Sequence, residues 1–236
     1  MEQLKYFLGP FELFSAIIGG SPLILAGFLF YNPVESLADL IPMVQNSGSV
    51  AILITVLFLS YIIGGTIQGL SWLYFLRLCK LFQKDYFYYG NLLRNRQQPL
   101  KPHGPGQQHF PEFEERMVLQ LRDKVGIPHK LDWMDSRLKA FLRERNSPSV
   151  AAAETLIASH IMYRNLSLGC LVLGIVNLIN GIRLRAIEPV LIGCLVGYTA
   201  YLMFLRSLSF KRWHNRTLIL GFYFLVTRES NGGAGE

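Results

Sequence analysis

Charged side chains are scarce in this chain of 236 residues, which is 51% hydrophobic and only 17% charged. No Asp, Glu, Lys or Arg occurs from Leu13 to Asn32 or from Leu40 to Leu76. A soluble domain is about one-quarter charged, and about 20 apolar residues are enough for a helix to cross a bilayer. The missing charges therefore exclude an ordinary cytosolic protein and a largely disordered chain.

Cysteines and catalytic motifs are scarce as well. Cys79, Cys170 and Cys194 lie in or beside apolar segments without close spacing, which argues against a disulfide scaffold and a zinc site. The chain has no GxxxxGK[ST] phosphate loop, no GxSxG elbow and no HExxH pair. His103 and His109 flank a Gly/Pro-rich loop that lacks the geometry of known metal sites. We therefore expect no enzyme activity, no cofactor and no metal.

The apolar segments predict an all-α, polytopic membrane protein with four transmembrane helices. The four segments cover residues 13–31, 50–75, 166–182 and 190–205. Pro22 predicts a kink in the first segment. The second is longer than the hydrocarbon core requires, so we expect it to tilt or to emerge as one continuous helix. The tight loop between the third and fourth predicts a helical hairpin.

A helical cytoplasmic insert is predicted between transmembrane helices 2 and 3, because the composition becomes polar after Arg77. Two short amphipathic helices are expected there, the first of them stopped by Gly126-Ile127-Pro128. We predict an N-terminal domain at 1–76, with transmembrane helices 1 and 2 and a short outer loop. A basic helical domain follows at 77–165, with a Pro/Gly-rich linker at 98–111. The hairpin with an interfacial C-terminal helix covers 166–227, and a disordered tail covers 228–236.

The distribution of basic residues predicts the orientation. Of the 23 Lys and Arg residues, 21 fall on the side that holds both termini and residues 77–165, and only Arg183 and Arg185 fall on the other. Cytoplasmic loops of membrane proteins carry an excess of Lys and Arg. We therefore expect an integral protein of a bacterial inner membrane with both termini and the insert in the cytoplasm.

Three polar residues lie inside the apolar segments, namely Gln68, Asn177 and Asn180. Polar groups in hydrocarbon need partners, so these side chains should face the bundle or a wet cavity. Hydrogen bonds between helices are the favoured interpretation, and a pore or polar path is the alternative. No Asp, Glu, Lys or Arg lies at the centre of a predicted span, which argues against an ion-coupled transporter.

Two small-xxx-small spacings predict close helix packing: Gly65 with Gly69, and Gly193 with Gly197. Packing within one chain is the favoured interpretation, and packing between subunits is the alternative. Because four spans of this length, two of them short, bury little surface against one another, we also expect a cyclic homo-oligomer. In it, Gln68 and Asn177 would face an interior or a subunit interface.

Basic residues beside the spans predict contacts with the inner leaflet or with a partner; they are Arg77, Lys80, Lys84 and Arg164. We expect Arg164 to reach lipid phosphate and His160, one turn earlier, to lie at the interface; a catalytic pair of the two is the less favoured interpretation. The aromatic and basic stretch 77–97 favours lipid contact over binding of nucleic acid or nucleotide.

The layout as a whole resembles that of small accessory membrane proteins of bacterial antiviral defence systems. The resemblance implies a non-enzymatic, oligomeric membrane effector or sensor. Its cytoplasmic domain would receive a signal or a protein partner, and its bundle would open a pore or recruit a component. The alternative is a small constitutive channel or transporter for a polar solute.

Overall fold

The computed structural model describes residues 10–39, Pro42, 50–88, 111–128 and 132–232. This part of the chain is helical and contains no strand, which confirms the all-α prediction. The helices are α1 (Pro10–Tyr31), a short 3-10 turn (Leu37–Asp39), α2 (Val50–Thr66), α3 (Gln68–Leu81), α4 (Pro111–Lys124), α5 (Asp132–Glu144), α6 (Ser149–Leu184) and α7 (Ile187–Gly232). The predicted linker 98–111 lies outside the described residues, except for Pro111, which begins α4.

Two helices, α6 and α7, are long and apolar enough to cross a membrane. Together α2 and α3 also qualify, but they are bent by 54° at their junction, so the count rises to three only if this pair is one span. The described apolar part of α1, Ser15–Tyr31, is shorter. These lengths suggest an integral membrane protein with two clear span candidates among the described residues, or three if the bent pair is one span.

The prediction of a continuous second helix is wrong, because α2 ends at Thr66 and α3 begins at Gln68. Glycines surround the junction, with Gly64 and Gly65 before it and Gly69 after it. Glycine weakens a helix because it has no side chain and a large conformational entropy to lose. Sharp kinks occur at such residues and where side chains insert into the backbone hydrogen bonds.

The chain divides into two compact units. The first unit contains residues 1–84 and 157–210, and so α1, α2, α3, most of α6 and the first half of α7. The second unit contains residues 85–156 and 211–236, and so α4, α5, the first turns of α6 and the end of α7. Both α6 and α7 are thus unbroken helices whose residues belong to both units.

An apolar core holds the second unit together. Its fully buried side chains recur every fourth residue on three helices, which places each set on one helix face: Met117 and Leu121 on α4, Met134, Leu138 and Leu142 on α5, and Leu218 and Phe222 on α7. The C-terminal apolar stretch predicted as an interfacial helix is instead the end of α7, buried in this core. Helix α7 continues to Gly232, within the segment predicted to be a disordered tail.

Residues with positive φ terminate the helices of the second unit. Gly126 follows α4 with a φ of +72°, a conformation open to glycine at no steric cost. Asn146 follows α5 with a φ of +51°, and Ser147 N donates to Leu142 O at 3.0 Å. This pairing across six residues closes the helix end and directs the chain into α6.

Candidate functional site

A buried polar network lies at the bend between α2 and α3, within the first unit. Ser71 on α3 is fully buried, as is Asn165 on α6, and Arg164 is only 7% exposed. The Ser71 hydroxyl donates to Asn165 Oδ1 at 2.6 Å and accepts from Arg164 Nε at 3.0 Å. One hydroxyl therefore connects a guanidinium and an amide that are adjacent in sequence.

The same two side chains reach backbone oxygens on both sides of the bend. Arg164 Nη2 donates to Gln68 O at 3.1 Å, and Asn165 Nδ2 donates to Gly64 O at 3.4 Å. Backbone bonds from Ile67 N to Ile63 O at 3.0 Å and from Ser71 N to Ile67 O at 2.8 Å continue through the junction, and the two side chains add bonds to it from α6. Arg164 and Asn165 therefore stabilise the bent form of the helix pair.

The charge of Arg164 has no carboxylate partner in the described part of the chain, whose ion pairs all involve other residues. The sequence explains why, since residues 50–84, 155–187 and 189–210 contain no Asp or Glu. The guanidinium also lies 5.3 Å from the centre of the Trp72 ring, a cation–π distance. The described partners of Arg164 are thus neutral groups, and burying a cation without a counter-charge is expensive.

His160 lies one turn before Arg164 but has different partners. It is 1% exposed, so it is buried in the protein rather than at an interface. Its Nδ1 lies 2.8 Å from the Ser207 hydroxyl oxygen and 3.0 Å from Ser207 O. The ring packs edge-on to Phe75, with centroids 4.9 Å apart. No hydrogen bond between the described residues joins His160 to Arg164, and we assign His160 to helix packing.

The three predicted intramembrane polar residues differ in their surroundings. Asn180 is 2% exposed, and its Nδ2 donates to Leu29 O on α1 at 2.7 Å, an interhelical hydrogen bond. Asn177 is 6% exposed and donates to Leu173 O, one turn earlier on its own helix. Gln68 is exposed, and its backbone oxygen rather than its side chain joins the network at the bend.

The glycines of the predicted packing motifs also differ. A Cβ built on Gly193 would lie 2.9 Å from Gly174 O, so α6 and α7 approach closely there. Gly197 N lies 3.2 Å from a Cβ built on Gly174, although Gly197 itself faces open space. A Cβ on Gly65 or Gly69 would meet nothing within 4 Å. Within the chain, the Gly193–Gly197 spacing therefore takes part in close helix packing, whereas Gly65 and Gly69 face open space.

Sequence reasoning missed the closest approach of α1 and α2, which occurs at Gly20 and Gly64. A Cβ on Gly64 would lie 2.6 Å from the carbonyl carbon of Ala16 and closer still to its oxygen. A Cβ on Gly20 would lie 3.0 Å from the carbonyl carbon of Ser60 and 2.8 Å from Gly64 N. The sequence does contain adjacent glycines at positions 64 and 65. The small-xxx-small spacing selected Gly65, although Gly64 makes the contact.

The predicted inner-leaflet residues fall into two groups. Arg77, Lys80 and Lys84 are exposed, on the side of α3 and its C-terminal turn opposite the buried Ser71, Phe75 and Cys79. Arg164, in contrast, is buried among protein groups. The first three are free to contact lipid or a partner, whereas Arg164 makes intramolecular contacts that the sequence did not indicate.

A second polar cluster, also missed, lies within the second unit. Lys211 Nζ donates to Asp135 Oδ2 at 2.6 Å, and both side chains are at most 14% exposed. His214 Nε2 lies 3.6 Å from the same oxygen, while His214 Nδ1 lies 2.9 Å from Ala153 O. Asp135 Oδ1 is buried and has no hydrogen-bond partner among the described residues. The cluster links α5, α6 and α7 through one carboxylate.

Neither cluster has the composition of a metal centre, since the described residues contain no group of three or more His, Cys, Asp or Glu that could hold an ion. Comparison with known proteins adds no functional assignment, because no family model, no curated protein and no solved structure matches this chain. The buried network around Arg164 is therefore the candidate functional site on physical grounds.

Proposed function

We propose that the chain is a non-enzymatic, oligomeric effector or sensor of a bacterial inner membrane. In this proposal the second unit lies in the cytoplasm and receives a signal or partner, and the first unit lies in the membrane and responds. The observation that carries the proposal is that α6 and α7 each contribute residues to both units without a break. A force or rotation applied to one part of an unbroken helix acts on the rest of it.

Four membrane crossings remain part of the proposal. Helix α1 has 22 residues, which corresponds to a length of about 33 Å and so to the thickness of the hydrocarbon core. With α2, α6 and α7 it gives an even number of crossings. Both termini and the second unit then share the side that carries 21 of the 23 basic residues.

The network at the bend is the proposed responding element. It joins α3 to α6 by hydrogen bonds at the point where α2 and α3 are bent relative to each other. Switching transitions require an element with two discrete arrangements, and a bent and a straightened α2–α3 pair would provide them. A displacement of α6 would act first on Arg164 and Asn165.

Oligomer formation is proposed through the open face of α2 and α3. Gly65, Gln68 and Gly69 are all exposed, and the open space at both glycines would admit a second helix. Gly65→Leu should therefore weaken assembly. Gly27→Leu is the matched control, because Gly27 on α1 also faces open space but belongs to no predicted packing motif. Native mass spectrometry in mild detergent reads out the stoichiometry, and a wild-type monomer that neither variant changes would refute the oligomer.

A flux assay separates the effector from the constitutive channel. The full chain is reconstituted into vesicles with a potassium gradient, and flux is measured before and after addition of host cytosol, with heat-treated cytosol as control. An effector that opens a pore should be silent alone and conduct after addition of native cytosol. Flux without any addition would instead support the constitutive channel or transporter.

A further inference from the structure

We propose that Arg164 forms a binding site for the phosphate group of an anionic phospholipid. The inference rests on the membrane placement given under the proposed function and specifies a ligand for the same network. It starts from the charge of Arg164, a residue that is only 7% exposed and whose hydrogen-bond acceptors, Ser71 Oγ and Gln68 O, are both neutral.

Among the described residues, no carboxylate forms an ion pair with Arg164. Burying an unpaired cation in a medium of low dielectric costs several kcal/mol. Residues 50–84 and 155–187, which include the segments that the network joins by hydrogen bonds, contain no carboxylate, and neither do residues 189–210. Neutral acceptors and the Trp72 ring reduce this cost without cancelling the charge. A ligand with one net negative charge would cancel it.

The geometry leaves one edge of the guanidinium for such a ligand. Arg164 donates through Nε and Nη2 to protein oxygens, and no hydrogen bond between described residues uses Nη1. Nη1 is therefore the nitrogen that can donate to an oxygen of the ligand. Arginine is well suited to phosphate because its planar donors match the spacing of phosphate oxygens.

The position along the chain favours a lipid as the source of the phosphate. Arg164 lies two residues before the crossing segment predicted at 166–182, which places it near the headgroups of the inner leaflet. Trp72, over which the guanidinium lies, is a residue type enriched at that level. An anionic headgroup is required, because the ammonium of a zwitterionic lipid would bring a second cation to the site.

The exposed bases of α3 do not provide an equivalent site. Arg77 and Lys80 face outward and exchange readily between water, salt ions and lipid. Contacts of that kind are weak, screened by salt and unselective. A selective response to anionic lipid should therefore depend on Arg164 and not on Arg77, which makes Arg77 the matched control.

The test measures lipid binding to the full chain in detergent. Phosphatidylglycerol, phosphatidylcholine or inorganic phosphate is added, and bound lipid is counted by native mass spectrometry while the apparent Tm is recorded. We expect phosphatidylglycerol to be retained and to raise the Tm more than phosphatidylcholine does. Arg164→Gln should weaken this retention at least tenfold, whereas Arg77→Gln, which removes an equal charge, should change it less than threefold.

Three results would overturn the inference. The first is equal retention of the two lipids by the wild-type chain, a measurement that does not depend on any variant folding. The second is unchanged retention of phosphatidylglycerol by folded Arg164→Gln or, should that variant not fold, by Arg164→Lys. The third is a Tm gain that inorganic phosphate reproduces, which would identify a soluble anion as the ligand. The flux assay is a separate readout, so failure of this inference and failure of the proposed function can be distinguished.

Discussion

Two adjacent glycines of α2 provide a sharp test of the packing in the first unit. Gly64 faces α1, where an added Cβ would lie 2.6 Å from the Ala16 carbonyl carbon, whereas Gly65 faces open space. The same substitution, Gly→Ala, can be made at both positions. The two variants have the same composition and differ only in the direction in which one methyl group points.

The magnitudes follow from the local geometry. The obstacle at Gly64 is backbone, which cannot rotate away, so α1 and α2 must separate; such overpacking costs about 1–3 kcal/mol. At Gly65 the methyl group meets nothing, and replacing a helical glycine by alanine contributes about 0.5–1 kcal/mol of stability. The two variants should therefore differ by about 3 kcal/mol, or roughly a hundredfold in the unfolding equilibrium.

Unfolding in mixed micelles with increasing SDS, followed by far-UV circular dichroism, measures this difference. A low ratio of protein to detergent keeps assembly from contributing to the result. Gly64→Ala should unfold at a lower SDS fraction than the wild type, and Gly65→Ala at an equal or higher fraction. Equal stability of the two variants, or the reverse order, would show that α1 and α2 do not cross at Gly64.

Three further predictions concern other parts of the molecule. Single cysteines are placed at Pro105 or Ala186 in a cysteine-free background, and intact cells are treated with an impermeant thiol reagent. Ala186→Cys should react and Pro105→Cys should not. The reverse result would show that the topology is inverted. Lys211→Met removes the ammonium group from the buried Asp135 carboxylate and should lower the free energy of unfolding by about 3–5 kcal/mol. The control Lys124→Met, at an exposed pair, should change it by less than about 1 kcal/mol. Equal effects of the two variants in chemical denaturation would contradict the burial of the Lys211–Asp135 pair. Asn180→Leu removes the hydrogen bond to α1 and should lower the free energy of unfolding by about 1 kcal/mol in the SDS assay, since interhelical hydrogen bonds in membranes are modest. An unchanged stability would show that this hydrogen bond makes no net contribution.

Local composition determined the helical character of the chain. Long stretches without charge can satisfy their backbone polar groups in a membrane only within helices or closed barrels, and the lengths here fit helices. The same stretches identified α6 and α7 as apolar segments. The amphipathic pattern predicted α4 and α5, and Gly126 marked the end of α4, because the φ of +72° found there is readily adopted by glycine.

Directions around each helix were decided by the tertiary structure. A spacing of four residues indicates that two glycines share a face but not which neighbour that face meets, and successive residues point about 100° apart. The motif therefore selected Gly65 where Gly64 makes the contact. On α5, likewise, an apolar side chain is not necessarily a buried one, since Trp133 is 61% exposed and the adjacent Met134 is fully buried.

Contacts between segments distant in sequence were likewise decided by the fold. Arg164 follows from the sequence as a cation beside an apolar segment, and lipid phosphate was its predicted partner. Its bonds to Ser71 and Gln68 depend on a bend nearly 100 residues earlier in the chain. The end of α7 is buried because α4 and α5 present matching apolar faces to it. Local sequence determines which segments are apolar and helical, but packing between those segments determines which of their polar and glycine residues meet.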